Sequence, residues 1–160
     1  MASLALGAAA LPAEADTSGQ PENVRLGYEV YFSGLHILSV DAELETSDEK
    51  YRLKVSSATQ GMTDFFVGWK GESETSGLFA GSAAVPQGFR NRGVWKGDPR
   101  LVEIDYSASG DVTSYKVEPE PDPDEVTRLP DNAEVGTSDP LTVIALVTKE
   151  INREATCSGS

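Results

Sequence analysis

From Val24 onward, apolar side chains fall at every second position. Leu26, Tyr28, Val30 and Phe32 alternate with Gly27, Glu29 and Tyr31 and stop at Gly34, which predicts a strand with one buried face. Leu38, Val40, Ala42 and Leu44 then alternate with Ser39, Asp41, Glu43 and Glu45. After a polar turn at 46–50, Tyr51, Leu53 and Val55 take the inner face while Arg52 and Lys54 take the outer one. Setting Leu44 opposite Tyr51 predicts a hairpin in which Glu43 meets Arg52 and Asp41 meets Lys54. A slip by one residue would drive charges into the core, so the assignment of faces is well specified.

The alternation breaks at 61–69. Met62, Phe65 and Phe66 stand at i, i+3 and i+4, the spacing of a single helical turn or an apolar loop between strands. Period two returns from Trp69 to Leu78, mostly polar, and again over 88–96, 100–106 and 112–117. Gly97-Asp98-Pro99 and Ser109-Gly110-Asp111 supply turns between them. Residues 118–125 carry three prolines at alternate positions and five carboxylates, an extended acidic linker that cannot be a central strand. Asp139-Pro140 then reads as an N-cap and first helical position. Leu141, Ile144, Ala145, Thr148 and Ile151 follow at helical spacing, with Lys149 and Arg153 near the negative end of the dipole. Val143, Leu146 and Val147 widen the apolar face, which predicts a well-buried helix at about 139–152. The pattern gives a mainly β protein: a curled antiparallel meander forming an open or incomplete β-barrel, with one C-terminal helix packed on the sheet.

Length and charge narrow the function classes. The 160 residues suit one domain, expected over 24–157, and 39% hydrophobic content is enough for a core without metal or disulfide framework. The net charge of −13 disfavours nucleic acid and anionic membrane surfaces. The short apolar run before Ala13-Glu14-Ala15 fits a signal-peptidase site, so residues 1–15 are read as a signal-peptide remnant, lacking the usual opening Lys or Arg. Residues 16–23 form a flexible lead-in and 158–160 a tail. The apolar run is too short to be a transmembrane segment. The expected location is the periplasm. Cys157, the single cysteine, is a disulfide candidate whose partner lies elsewhere.

Candidate chemistry is sparse. His36 has no Cys or His at ligand spacing, so a strand-end histidine is expected and no metal. No nucleophile elbow, phosphate loop or dinucleotide fingerprint occurs, and no cofactor is expected. The pairs Glu72/Glu74 and Asp41/Glu43 read as solvated strand faces before they read as glycosidase carboxylates. Two groups could bind. Met62, Phe65, Phe66 and Trp69 could line the mouth of a cavity for an apolar ligand, or plug the core. Arg90, Arg92, Lys96 and Arg100 could meet an anionic headgroup, or pair with acidic neighbours on adjacent strands.

Several weak motifs occur together and in order. Leu26-Gly27-Tyr28-Glu29-Val30-Tyr31 with Gly34 is followed by Tyr51-Arg52-Leu53, Gly61-Met62-Thr63-Asp64-Phe65-Phe66, Trp69, Asp139-Pro140-Leu141 and Cys157. In this order they resemble the domain-of-unknown-function 3108 family, exported proteins of Gram-negative bacteria. The resemblance implies an open, curled sheet similar to the unclosed barrels of periplasmic lipoprotein carriers, and it brings no catalytic residues. Family members usually continue past the cysteine into further strands. A chain without them would carry an unpaired sheet edge. The expectation is therefore a non-enzymatic periplasmic protein that shelters a lipid or other apolar or amphiphilic molecule against Met62, Phe65 and Phe66. The alternative is an envelope scaffold that binds another protein through a sheet edge or apolar loop. A hydrolase would need convergent titratable groups in a cleft.

Overall fold

The computed structural model of the chain describes residues 22–122, 124 and 135–154. Seven strands follow one another: β1 (Glu22–Phe32), β2 (Leu35–Thr46), β3 (Lys50–Thr59), β4 (Trp69–Ala80), β5 (Ala83–Trp95), β6 (Asp98–Tyr106) and β7 (Val112–Glu118). Each pairs antiparallel with the next, giving one seven-stranded sheet in sequence order that does not close. A short helix, α1 (Gly61–Phe66), joins β3 to β4, and a longer one, α2 (Pro140–Glu154), follows the sheet. Glu118 ends β7 and so stands outside the acidic linker expected from 118. β1 opens two residues before the expected Val24.

Period two in the sequence becomes two unlike faces. Leu44, Leu53, Thr75 and Phe89 stand side by side on consecutive strands. Leu141 and Ala145 of α2 pack on this row, and with Leu44, Tyr51 and Leu53 they form the buried core, flanked by Val55, Phe79, Ala84 and Phe89. On the opposite face, Arg25, Glu43, Lys54, Glu74, Arg90, Glu103 and Lys116 form a row across all seven strands with alternating sign. Ion pairs on this face include Arg25–Glu43 (2.6 Å), Arg52–Glu74 (2.6 Å), Lys54–Glu72 (2.8 Å) and Arg90–Glu103 (2.5 Å). Hydrogen bonds from Arg25 and Asn23 hold the Glu43 carboxyl below its ordinary value.

The β2–β3 register differs from the expected one by two residues. Thr46 faces Tyr51 and Leu44 faces Leu53, so Glu43 meets Lys54 and Glu45 meets Arg52. The turn is tighter than the sequence suggested: Ser47 donates its N–H to the Lys50 carbonyl at 2.9 Å. An even shift leaves every side chain on its expected face.

α2 starts where its cap predicts. The Asp139 carboxylate accepts the Thr142 N–H at 2.9 Å and the Thr142 hydroxyl at 2.7 Å, and also the Thr75 hydroxyl at 3.1 Å. Tyr51 then donates its hydroxyl to Thr142 at 2.8 Å. Asp139, Thr75 and Thr142 are all buried. A carboxylate out of water needs such donors, and here they fasten the first turn of α2 to β3 and β4. The expected deep burial of the whole helix is corrected. Val143, Ile144, Val147 and Ile151 lie on the side opposite Leu141 and Ala145 and are exposed, because the helix has apolar residues on both sides and the sheet covers only one.

Two tyrosines report on this region in alkali. Burial, with the Asp139 charge second, pushes the Tyr106 phenol up to about 12, and burial also raises Tyr51. A phenol that ionises near 10 when unfolded and near 12 when folded leaves the native state holding the extra proton. Stability from this source is therefore complete below pH ~10 and falls as pH rises towards ~12. Urea unfolding across that window should show the fall, and Tyr106→Phe should flatten it.

Candidate functional site

Three turns meet at one end of the sheet. The β1–β2 turn carries Phe32 and Leu35. α1 carries Met62, Phe65 and Phe66, and the β5–β6 turn is flanked by Trp95 and Lys96. Backbone hydrogen bonds tie the three together: Gln60 N–H to the Ile37 carbonyl (3.1 Å) and Lys96 N–H to the Gly68 carbonyl (2.9 Å). A six-residue helix cannot persist alone, so these ties explain why it forms. Thr59 completes them. Its hydroxyl accepts the Trp69 N–H at 2.9 Å and donates to the Asp64 carboxylate at 2.9 Å.

α1 turns its large side chains outwards. Met62, Phe65 and Phe66 are 67%, 85% and 63% exposed, and the two phenyl rings contact each other edge to face with centroids 5.3 Å apart. Tyr31, Phe32, Leu35, Val67, Val94 and Trp95, at the same end of the sheet, are exposed as well. Trp69, grouped with Met62, Phe65 and Phe66 as a candidate binding residue, is separate from them. Gly68 adopts φ 56° and reverses the chain, so Trp69 opens β4. Its indole lies against the backbone of Gly71 and Gly93, where any Cβ would collide with the ring, and Nε1 donates to the Ser57 hydroxyl at 2.9 Å. Gly71 is thus a seat for the indole.

An open trough of about 670 Å³ crosses β2–β5 on the charged face, lined by Ser39, Asp41, Ser56, Lys70, Glu72 and Arg92 among others. Met62, Phe65 and Phe66 do not line it.

The four basic candidates divide between faces. Arg90 and Arg92 stand on the charged face against Glu103, at 2.5 and 3.5 Å. Arg100 faces Gly93 across the β5–β6 pair, on the α2 side, with its guanidinium 5.2 Å from the Trp95 ring centroid. Its Nε is buried and has no hydrogen-bond partner among the described residues. Lys96 sits in the turn at φ 53°, its ammonium 6.0 Å from the same ring. His36 stacks on Tyr31 with centroids 5.0 Å apart and contacts Glu29 through Nε2, which also lies 3.2 Å from the Ser39 hydroxyl. Serine and carboxylate thus meet the same ring nitrogen. A proton relay needs them on opposite ones. Cys157 lies outside the described residues.

A family model described as "Protein of unknown function (DUF3108)" matches residues 27–149. The chain belongs to this family. The matched span runs from the middle of β1 through α1 and all later strands into α2, so the apolar end lies within the DUF3108 match. No curated protein and no solved structure matches the chain. Among the described residues of this DUF3108 member, no helix is long and apolar enough to cross a membrane, and no three His, Cys, Asp or Glu side chains gather as a metal site requires.

Sequence reasoning missed Phe32, Leu35 and Trp95 as parts of the apolar end. The available signal was local. Each is a large apolar residue directly beside a tight turn, at Ser33-Gly34 or Lys96-Gly97.

Proposed function

We propose that this DUF3108 protein is a non-enzymatic module of the bacterial cell envelope, exported to the periplasm, that docks a protein partner through the apolar end of its sheet. The observation that carries the reading is the outward projection of Met62, Phe65 and Phe66, which a sheltering cavity would have turned inwards. Monomer surfaces rarely expose such a contiguous group unless something covers it. Aromatic residues and Met are enriched at protein interfaces, and mixed charge marks their rims. Asp64, Lys96 and Asp98 supply that rim. The net charge of −13 weighs against an anionic bilayer as the partner. Export rests on the signal-like residues 1–15.

A second reading, shelter for an amphiphile, draws on one observation. Val24, Leu26, Tyr28 and Val30 of β1 are exposed on the same face as α2 and would give an acyl chain a lane along the sheet. A photo-crosslinking amino acid at Phe65, used in cells, separates the two. Docking predicts a discrete protein adduct that Met62→Asp or Phe66→Asp abolishes without unfolding the chain. An adduct of lipid mass, or a protein adduct indifferent to both substitutions, overturns it.

A further inference from the structure

The two edges of the sheet are not alike. β7 is seven residues long and runs directly into Glu118-Pro119, and Pro121 follows, so short length and proline guard it against pairing. β1 is eleven residues long, contains no proline, and every one of its residues is exposed. It keeps its inward apolar stripe of Val24, Leu26, Tyr28 and Val30 with no strand beyond it among the described residues. An edge so long and so unprotected templates another strand.

We propose that the strand it takes is β1 of a second copy, antiparallel, about a two-fold axis through Gly27. The two open sheets then continue into one. This goes beyond the docking function and does not depend on it, since the β1 edge shares only Tyr31 and Phe32 with the apolar end.

The register follows from the sequence of β1 itself. Residues that face each other across an antiparallel pair lie on the same side of the sheet, so only shifts by two are allowed. The register of full overlap sets Glu22 against the partner's Phe32 and places Gly27 on the axis. It sets Val24 against the partner's Val30 and Leu26 against the partner's Tyr28, each twice by symmetry, which joins the two apolar stripes. On the charged side it sets Arg25 against the partner's Glu29, again twice. A slip of two residues one way leaves Arg25 opposite Gly27 and Glu29 opposite Asn23. The other way leaves Arg25 opposite Tyr31 and Glu29 opposite Gly27. Both slips lose both charge pairs and shorten the overlap.

The row of alternating charge supports the same register. It runs from Lys116 to Arg25 and stops at the β1 edge on a cation whose side chain is 75% exposed. The partner's Glu29 is the anion that continues it. Glycine weakens a strand interior and often marks a close backbone approach, which is what Gly27 would meet on the axis. Repulsion between two chains of −13 is long-range and screened within about 8 Å at physiological salt, whereas the cross-edge pairs are in contact.

Charge exchange tests both the dimer and its register. Sedimentation of the full chain should show twice the chain mass at micromolar to sub-millimolar concentration. Arg25→Glu sets Glu against Glu, and Glu29→Arg sets Arg against Arg, so each variant alone should dimerise at least about tenfold more weakly. Mixing the two restores both opposite-charge pairs and should yield the heterodimer. In a Cys157→Ser background, Gly27→Cys should form an intermolecular disulfide on oxidation, and Ser114→Cys on β7 should not. A wild-type chain that stays monomeric, a mixture that fails to associate, or variants that dimerise as tightly as wild type would each overturn the proposal. Circular dichroism checks that each variant is folded, and the mixing result holds even where a single variant is less stable, because association must then appear only on combination.

Discussion

Asp139→Ala should lower the unfolding free energy by about 3 kcal/mol, a large share of what holds a domain of this size together. The loss has two sources. The helix loses its N-cap, worth about 1 kcal/mol. The Thr75 and Thr142 hydroxyls, both buried, also lose the acceptor they share, at roughly 1–3 kcal/mol for a stranded polar group. Asp139→Asn keeps an oxygen for the Thr142 N–H and should cost about half as much, since only the hydroxyls must find new partners. Urea unfolding followed by far-ultraviolet circular dichroism checks the size. Hydrogen exchange checks the place, because α2 should lose protection ahead of β3 and β4. An alanine variant as stable as the wild type would mean that the carboxylate does not anchor the helix.

That network shows how far the sequence could be read. The cap itself was legible, because Asp-Pro before an apolar run has few other uses. Its companions were not, since Thr75 and Tyr51 lie 64 and 91 positions from the groups they bond. The seven strands and their faces were legible from period two, but the β2–β3 register was not. The expected register and the observed one both pair opposite charges, so charge could not choose between them. The length of the turn chose. Arg90, Arg92 and Arg100 looked like one cationic group because they are near in sequence, yet cross-strand register sends Arg100 to the other face. Trp69 was legible as the start of β4, but its nearness in sequence to Met62, Phe65 and Phe66 said nothing of the seat at Gly71 and Gly93 that holds its indole away from them. The exposed side of α2 was unreadable for another reason: a pattern of apolar positions states what needs cover and says nothing of what supplies it.

Gly77→Ala tests the other support of the same network and should cost about 3 kcal/mol, the upper end for overpacking a tight site. Gly77 lies beside the irregularity where β4 shifts register against β5, and it faces Tyr51 across the β3–β4 pair. A Cβ built there meets the Tyr51 hydroxyl on one side and the Val85 backbone carbonyl on the other. The carbonyl belongs to the strand and yields little, so the phenol must move. Moving it breaks the 2.8 Å hydrogen bond to Thr142 and disturbs the tilted stacking of Tyr51 on Phe79, whose centroids are 5.0 Å apart. The clash and the hydrogen bond involve the same oxygen, which makes the two substitutions non-additive. Tyr51→Phe alone should cost about 1 kcal/mol, yet added to Gly77→Ala it should cost nothing or recover a little, a coupling of ~1 kcal/mol or more. Recovery stays partial because the ring carbon bearing the hydroxyl is also too close. Additive penalties in the double-mutant cycle would show that Tyr51 does not rest on Gly77. A strong coupling would show that one missing side chain on β4 lets the phenol reach α2.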